Sequence, residues 1–315
     1  MEYDKDIGMW HKKDYSGYLI KECYKTKYVF DERGLVDNYY EYSNNKNDII
    51  MLGDSQVEAL MVNNKDIIHN QLYFDLGEKY NVLNYGLSGT GPSQHLQVLE
   101  KKVNLNNSKA VIHFIFLEND LNDGDQRVLD GTNRPKVFSV FDEDGNYSVV
   151  KPKKYDTYEM VRDLLGKFEM YVYLKKTFYY YRHAKFLQGE PKQKKEKNAN
   201  EVKLKIENEE YKWRQLKGAI THISKLLKKK NTEYFLVIYS KHEFENGITD
   251  RARRLEQFLN ETGISYVNIV PFLKNEAKQY EISFVCDRHW NGKTHNVLSK
   301  FLSNSIAEHV VLKIR

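Results

Sequence analysis

The sequence predicts an α/β protein in which helices cover both faces of a doubly wound parallel sheet of about five strands. Short apolar runs of strand length recur along the chain, as expected of parallel strands that are buried on both faces. Helix-compatible stretches alternate with these runs. One connection, between the third and fourth runs, is far longer than a crossover requires, and we predict a mainly helical insertion there.

The predicted strands are apolar runs flanked by charged or turn residues, and the last of them is the weakest. They lie at residues 48–52, 82–85, 110–117, 234–239 and 265–270. Helices are predicted at residues 56–61, 92–102, 250–261 and 294–311. Pro92 stands in the first turn of its helix, where a missing N–H group costs no hydrogen bond. In such a three-layer α/β/α fold, ligands bind beyond the carboxyl ends of the strands.

The whole chain, residues 1–315, is predicted to form one domain, with an N-terminal strap at 1–46 and a helical insertion or cap at 122–230. Aromatic residues crowd the insertion between 158 and 181. The favoured interpretation is that they pack the insertion onto the main domain; the alternative is a cap that stacks on sugar rings or holds an acyl chain. The lysine-rich segment at 192–197 is interpreted as a solvated loop rather than a surface for anionic glycans or lipids.

Composition argues against several classes of protein. The 49 Lys and Arg residues against 44 Asp and Glu leave a net charge of +5, which does not indicate nucleic-acid binding. The sequence has neither an apolar leader nor an apolar run long enough for a membrane span, which predicts a cytoplasmic protein, or a cell-envelope protein if an N-terminal segment has been removed. Cys23 and Cys286 are far apart and outside any metal-binding spacing, so we expect neither a disulfide scaffold nor a zinc site. Abundant Asn, Lys and Tyr are typical of an AT-rich bacterial genome.

Two motifs carry groups that can act as nucleophile and base. Gly53-Asp54-Ser55 ends the first predicted strand and opens a helix, so the Ser55 hydroxyl lies where a helix N-terminus favours developing negative charge. Taken alone, Ser55 is better explained as a helix cap. Asp287 and His289 precede the last helix, and a carboxylate at this spacing can hold one imidazole nitrogen while the other faces a nucleophile. Taken alone, this pair is better explained as a surface salt link.

Two further motifs follow the second and third predicted strands. Residues 84–91, Asn-Tyr-Gly-Leu-Ser-Gly-Thr-Gly, contain glycines that let the backbone approach a ligand and point N–H groups at it. Glu118-Asn119-Asp120 supplies a side-chain amide at the same edge of the sheet. Either motif alone is better explained as a turn.

Taken together, in this order and at these strand ends, the four motifs resemble those of the SGNH/GDSL hydrolases. The resemblance covers most of the chain apart from the insertion and rests on Gly53-Asp54-Ser55, Asn84-x-Gly86-x-x-Gly89, Glu118-Asn119-Asp120 and Asp287-x-His289-Trp290-Asn291. The expected strand arrangement is flavodoxin-like. The resemblance implies a nucleophile at Ser55, a general base at His289 and an orienting acid at Asp287. It also implies an oxyanion hole made by the N–H groups of Ser55 and Gly89 and the side-chain amide of Asn119, with Gly86 as the alternative to Gly89.

The sequence departs from the family pattern at two points. Glu118 stands where the family usually has glycine, and Asp287 lies two residues before His289, whereas many members have three. Neither departure removes a catalytic group. The Asp-x-His-Trp form resembles that of relatives that O-acetylate bacterial polysaccharides.

Three functions are compatible with these motifs. The leading one is a serine esterase that removes an acyl group, with acetyl expected, from a carbohydrate or related substrate through an acyl-enzyme. The second is an O-acyltransferase that modifies a bacterial surface polysaccharide. The third is an inactive glycan-binding module, which the intact Ser55, Asp287, His289 and Asn119 disfavour. We expect a small-molecule or glycan ester as the partner, and no cofactor or metal.

Overall fold

The computed structural model describes residues 1–127, 135–151, 173–174, 177 and 199–309, and only the helical backbone at 199–206 and 308–309. The chain divides into two compact units, Met1–Lys151 with Tyr211–Arg315, and Pro152–Glu210. The predicted lysine-rich loop and nearly all of the aromatic stretch in the insertion lie outside the described residues. Of that stretch, Tyr173 and Leu174 are described and exposed. The single domain with a strap and a cap therefore stays a prediction.

The first four strands precede the part of the described chain in which strands and helices alternate. The strands are β1 (Glu2–Asp4), β2 (Gly8–Trp10), β3 (Tyr15–Lys21), β4 (Tyr24–Phe30), β5 (Asp48–Leu52), β6 (Asn81–Asn84), β7 (Ser108–Phe116), β8 (Phe138–Phe141), β9 (Tyr147–Val150), β10 (Glu233–Tyr239) and β11 (Ser265–Asn268). The helices are α1 (Ser55–Glu58), α2 (Ile68–Asp75), α3 (Pro92–Lys102), α4 (Leu117–Asp123), α5 (Ala199–Lys229), α6 (Lys241–Asn246), α7 (Asp250–Thr262), α8 (Val270–Glu276) and α9 (Gly292–His309). Short 3-10 turns lie at Asn64–Asp66 and Leu105–Asn107.

The central sheet has five strands in the order β6-β5-β7-β10-β11, and each neighbouring pair is parallel. Numbered along the chain, this is the flavodoxin-like order 2-1-3-4-5. The predicted doubly wound parallel sheet is therefore confirmed. Because the strands are parallel, their carboxyl ends and the loops that follow them meet at one edge.

Side chains of β5 alternate between the two faces of the sheet, as the strand period of two requires. Ile49 and Met51 belong to a buried cluster that includes Leu72 of α2 and Leu298 of α9. Ile50 and Leu52 belong to a second cluster, on the other side, that includes residues of α3 and α5. Both faces of the sheet are thus covered by helices, which explains why the strands are apolar at nearly every position.

Several elements differ from the predicted ones. The helix predicted at 56–61 is shorter and ends at Glu58, because Ala59 adopts a left-handed conformation with φ of +51°. Helix α2 was not predicted, since its apolar and polar residues show little helical periodicity. The strand predicted at 265–270 ends at Asn268, and Val270 instead begins α8.

The insertion contains a β-hairpin besides its long helix. Strands β8 and β9 pair antiparallel from Phe138 opposite Val150 to Phe141 opposite Tyr147. The hairpin lies in the same unit as the sheet and packs against α3, where Ser93 donates a hydrogen bond to the Ser139 carbonyl at 2.8 Å. Helix α5 forms the last part of the insertion and leads back to β10. The prediction of a mainly helical insertion missed this hairpin, because four-residue strands leave little alternation to detect.

The sequence led us to expect no disulfide scaffold, and the bond between its two cysteines was not predicted. Cys23 and Cys286 are joined, with their Cα atoms 5.8 Å apart and 263 residues between them in sequence. Cys23 lies at the tip of the antiparallel hairpin β3–β4, and Cys286 lies in the loop between α8 and α9. Spacing along the chain does not reveal such a pair, because only the packing of the hairpin against that loop brings the two residues together.

None of the helices in the described ranges is long and apolar enough to cross a membrane.

One glycine is required by the close approach of two elements. A Cβ atom added to Gly86, in the loop after β6, would lie 2.3 Å from the backbone nitrogen of Glu58 in α1. We expect Gly86→Ala to lower the free energy of unfolding by about 1–3 kcal/mol, because backbone must move to relieve the clash. Urea unfolding followed by circular dichroism measures this effect.

Gly292→Ala is the matched control for that measurement. Its added Cβ would meet the Asp66 side chain at 3.3 Å, and alanine is favoured over glycine in the first turn of α9. We expect its free energy of unfolding to change by no more than about 0.5 kcal/mol. Equal losses of stability in Gly86→Ala and Gly292→Ala would contradict the steric explanation.

Candidate active site

The carboxyl edge of the sheet brings Ser55, His289 and Asp287 together. The Ser55 hydroxyl lies 2.8 Å from Nε2 of His289. The other ring nitrogen, Nδ1, is hydrogen-bonded to Oδ1 of Asp287. The order hydroxyl, imidazole, carboxylate is the one that activates a serine, since the imidazole can take the hydroxyl proton while the carboxylate orients the ring.

Ser55 is placed by the first strand of the sheet and the short helix that follows it. β5 ends at Leu52, and Ser55 is the first residue of α1. Asp54 caps that helix, because its Oδ1 accepts a hydrogen bond from the Gln56 N–H at 2.9 Å. The helix cap is therefore Asp54 and not Ser55, which leaves the Ser55 hydroxyl free for His289.

The loop that carries His289 folds back on itself between α8 and α9. Phe284 N–H donates to the His289 carbonyl at 3.0 Å, and Asp287 N–H donates to the Phe284 carbonyl at 3.1 Å. Trp290, which is 2% exposed, anchors the loop against aromatic rings of Phe116 and Tyr239. These contacts fix the imidazole before any substrate binds.

Asp287 uses both of its oxygens. Oδ1 is hydrogen-bonded to His289, whereas Oδ2 accepts hydrogen bonds from the Lys21 ammonium and, at 2.9 Å, from the Tyr24 hydroxyl. Partial burial alone would raise the pKa of Asp287, but the hydrogen bonds from Lys21, His289 and Tyr24 outweigh burial and hold that pKa well below its usual range. The carboxylate is therefore ionised at neutral pH.

Asn119 is linked through Asp54 to the helix that begins at Ser55. It stands in the first turn of α4, directly after β7, and its Nδ2 donates to Oδ2 of Asp54 at 3.2 Å. Asp54 is 1% exposed, and burial raises its pKa to about 6. One buried carboxyl group thus caps the helix of Ser55 and holds the Asn119 amide. Sequence reasoning did not assign Asp54 a role, although it lies inside the Gly53-Asp54-Ser55 motif.

Gly89 follows β6 at the same edge of the sheet. It adopts φ of +71°, in the left-handed region that favours glycine. Its neighbour Ser88 donates a hydrogen bond to the buried carboxylate of Glu58, in α1, and Glu58 also contacts Nε2 of His11 at 2.5 Å. The loop with Gly89 is thereby tied to the helix that begins at Ser55. Gly86 packs against the backbone of that helix, and a side chain at this position would clash with it. The close packing therefore explains the glycine at position 86.

A cavity of about 610 Å³ opens beside His289. Apolar and aromatic side chains from the ends of β7 and β10 and from the loop before His289 form much of its wall. The apolar and aromatic part of the lining consists of Phe116, Tyr239, Phe244, Ile282, Phe284 and Val285. The rest consists of Cys286 and of the polar or charged Gln56, Glu118, Asn119, Lys241, Glu245, Glu281, Ser283, Asp287, Arg288 and His289. The cavity has the size and the mixed lining of a small-molecule site.

Within the described ranges, no group of three or more His, Cys, Asp or Glu side chains is arranged to hold a metal ion.

No family model and no curated protein matches the chain, but solved structures match most of its length. GDSL-family proteins and esterases are among them. A protein from Desulfitobacterium hafniense DCB-2, assigned to the G-D-S-L lipolytic family, has 9% identity and a TM-score of 0.46, with 82% of this chain and 99% of that chain covered. A psychrotrophic esterase from Pseudoalteromonas sp. has 14% identity and a TM-score of 0.43, with 84% and 97% covered. A carbohydrate acetylesterase from Sinorhizobium meliloti has 9% identity and a TM-score of 0.39, with 84% and 99% covered.

With TM-scores below 0.5 and identities of 9% to 14%, these similarities assign no catalytic role to a residue of this chain. Catalytic roles are therefore assigned from the geometry of this chain's own side chains.

Proposed function

We propose that the protein is a serine esterase of the SGNH/GDSL type, which hydrolyses an ester-linked acyl group, with acetyl expected, from a carbohydrate or related substrate. The observation that supports this proposal most directly is the 2.8 Å contact between the Ser55 hydroxyl and Nε2 of His289, whose Nδ1 is held by Asp287. A serine bound in this way can be deprotonated as it attacks an ester carbonyl.

In the proposed mechanism, His289 takes the Ser55 proton while Oγ forms a bond to the carbonyl carbon of the ester. The tetrahedral intermediate carries its negative charge on the former carbonyl oxygen. The N–H groups of Ser55 and Gly89 and the Asn119 amide stabilise that charge, and Asp287 stabilises the imidazolium. His289 then protonates the departing alcohol oxygen, which leaves an acyl-enzyme on Ser55.

Deacylation repeats these steps with a different nucleophile. His289 takes a proton from a water molecule, the hydroxide attacks the acyl carbon, and collapse of the second intermediate returns the proton to Ser55 Oγ and releases the acid. A sugar hydroxyl in place of water would give a transferase. The Asp287-x-His289-Trp290 form resembles that of relatives that O-acetylate bacterial polysaccharides, which makes O-acyl transfer to a bacterial surface polysaccharide the second candidate function.

The proposal is tested by offering acetyl esters with and without an acceptor. Purified protein is given p-nitrophenyl acetate and acetylated xylo- or manno-oligosaccharides, and free acetate is measured; a fluorophosphonate probe then reports the nucleophile by peptide mass spectrometry. We expect acetate release without an acceptor and a label on Ser55. Turnover only with a glycan acceptor would favour the transferase, and a folded protein that neither releases acetate nor labels would contradict both enzymatic functions.

Removal of the Asn119 amide tests the oxyanion hole. We expect Asn119→Ala to lower kcat by about 10²- to 10³-fold with a smaller change in KM, because the lost donor acts mainly on charge that develops in the transition state. Steady-state kinetics on p-nitrophenyl acetate measure both constants.

Asn122→Ala is the matched control for that variant. Asn122 lies on the same helix, is exposed, and bonds to the Glu118 carbonyl and Lys212 rather than to Asp54. We expect it to retain wild-type kcat. A similar loss in the two variants would show that α4 matters only as a structural element.

A further inference from the structure

The tip of the hairpin β3–β4 contacts the candidate catalytic acid from outside the sheet. Lys21 ends β3, Tyr24 begins β4, and both donate to Oδ2 of Asp287, the oxygen that faces away from the His289 hydrogen bond. Cys23, which lies between them, is bonded to Cys286, the residue before Asp287. Three contacts therefore join this tip to two consecutive residues of the catalytic loop.

The two strands of the hairpin tip differ in how they contact the rest of the molecule. Tyr24 is 9% exposed, and its ring lies 4.9 Å from that of Phe284 in the catalytic loop. On the same strand, the Thr26 hydroxyl donates to the Leu60 carbonyl at 2.7 Å. Strand β3 is exposed along most of its length and is held by its pairing with β4, in which Lys21 lies opposite Tyr24. The disulfide adds a covalent constraint in the turn between these two residues.

We propose that the hairpin tip is a covalently held positioning element for the catalytic acid, in which Tyr24 fixes the orientation of Asp287, Lys21 partly offsets its charge, and the Cys23–Cys286 disulfide keeps both donors in place. This inference rests on the proposed function. Lys21 and Tyr24 act through Asp287, so they are positioning residues and not catalytic ones.

The charge of Lys21 is expected to affect how kcat/KM depends on pH. Among the described residues, the Asp287 carboxylate, the buried Asp54 and the neighbouring His295 interact with the His289 imidazole, and Lys21 reaches it through Asp287. Arg288 precedes His289 and lines the same cavity. A carboxylate without its ammonium partner favours a protonated imidazole more strongly. Loss of the Lys21 charge therefore moves the acidic limb of the kcat/KM profile to higher pH. A purely structural contact would lower activity equally at every pH.

The test compares variants of the hairpin tip across pH. We expect Lys21→Met to lower kcat/KM on p-nitrophenyl acetate by about threefold to tenfold at the acidic limb and little at the alkaline plateau, since a tenfold change corresponds to one pH unit. Lys21→Arg retains the charge and is expected to restore the wild-type profile. Tyr24→Phe removes a donor but no charge, and we expect a loss of about tenfold that is present at all pH values.

Lys25→Met is the matched control. Lys25 is an exposed lysine on the same hairpin whose ammonium lies over the Tyr18 ring and not against Asp287. We expect its pH profile to coincide with that of the wild type. Thermal unfolding of each variant by circular dichroism ensures that all proteins are compared while folded. A Lys21→Met profile that coincides with that of Lys25→Met would overturn the role of Lys21.

The disulfide is tested separately. Dithiothreitol reduces it to the two thiols and is itself oxidised to its cyclic disulfide. We expect reduced wild type and a Cys23→Ser/Cys286→Ser variant to show the same loss of kcat/KM, combining the effects of Lys21→Met and Tyr24→Phe, below their unfolding temperatures. Full activity in either protein would overturn the role of the disulfide.

Labelling separates this inference from the proposed function. If the fluorophosphonate labels Ser55 of the wild type, and every hairpin variant labels at the same rate and with the same pH dependence, the positioning inference fails while the esterase proposal stands. If the folded wild type is not labelled at all, the proposed function fails and the inference falls with it.

Discussion

Ser55→Ala is expected to lower kcat/KM for acetyl esters by about 10⁴- to 10⁶-fold and to abolish labelling by a fluorophosphonate. The hydroxyl is the atom that would form the acyl-enzyme, and no neighbouring nucleophile replaces it at Nε2 of His289 among the described residues. Rates with p-nitrophenyl acetate, corrected for the uncatalysed reaction, measure the loss.

The fold should survive the Ser55→Ala substitution. Asp54, rather than Ser55, caps α1, and the alanine removes only the contact with His289. We therefore expect the free energy of unfolding of Ser55→Ala to lie within about 0.5 kcal/mol of the wild-type value. Ser303→Ala, at a half-buried position on α9 whose hydroxyl donates to the Lys300 carbonyl, is the control that retains full activity. Residual turnover of more than a few per cent in Ser55→Ala would mean that another group is the nucleophile.

Asp287→Asn is expected to lower kcat by about 10⁴-fold, nearly as much as loss of the serine. The carboxylate accepts a hydrogen bond from Nδ1–H and thereby leaves Nε2 as the base that faces Ser55. An amide can donate its own proton to Nδ1, which reverses the tautomer and places a proton on Nε2. It also provides no negative charge to stabilise the imidazolium. Single-turnover kinetics of acylation measure the effect directly.

The Asp287→Asn variant also loses the ion pair with Lys21. The effect of losing this ion pair must be measured separately from the effect of the changed His289 tautomer. Lys21→Met removes the same ion pair but leaves the carboxylate on His289. We expect Lys21→Met to cost no more than tenfold at any pH. If it costs as much as Asp287→Asn, the ion pair and not the tautomer dominates, and the triad assignment would be contradicted.

Local sequence patterns predicted the sheet and the position of the candidate groups within it. The apolar runs at 48–52 and 234–239 correspond to β5 and β10, because parallel strands buried on both faces need apolar side chains at consecutive positions. Ser55 and Asn119 were placed at strand ends for the same reason: a strand followed by a helix sends the next residues to the carboxyl edge of the sheet. The spacing of Asp287 and His289 permits a local hydrogen bond, but taken alone it was better explained as a surface salt link, and only the four motifs together indicated a catalytic pair.

Local patterns also misjudged elements in which position, rather than periodicity, decides the structure. The helix after Ser55 stops at Glu58 because the chain turns at Ala59, and nothing in the helix-forming tendency of residues 56–61 signals that turn. The hairpin β8–β9 was missed because each strand has only four residues. Helix α2 was missed because it is buried on more than one side, which removes the contrast between its faces.

By itself, then, the amino-acid sequence determined the α/β class and the residues that stand at the carboxyl ends of its strands. Tertiary structure alone decided which distant side chains meet them: Asp54 with Asn119, the disulfide between Cys23 and Cys286, and the contacts of Lys21 and Tyr24 with Asp287. The physical reason is how far apart along the chain the interacting residues lie. Periodicity and turn chemistry report interactions between residues a few positions apart, whereas a contact across 263 residues depends on how the hairpin packs on the loop before α9.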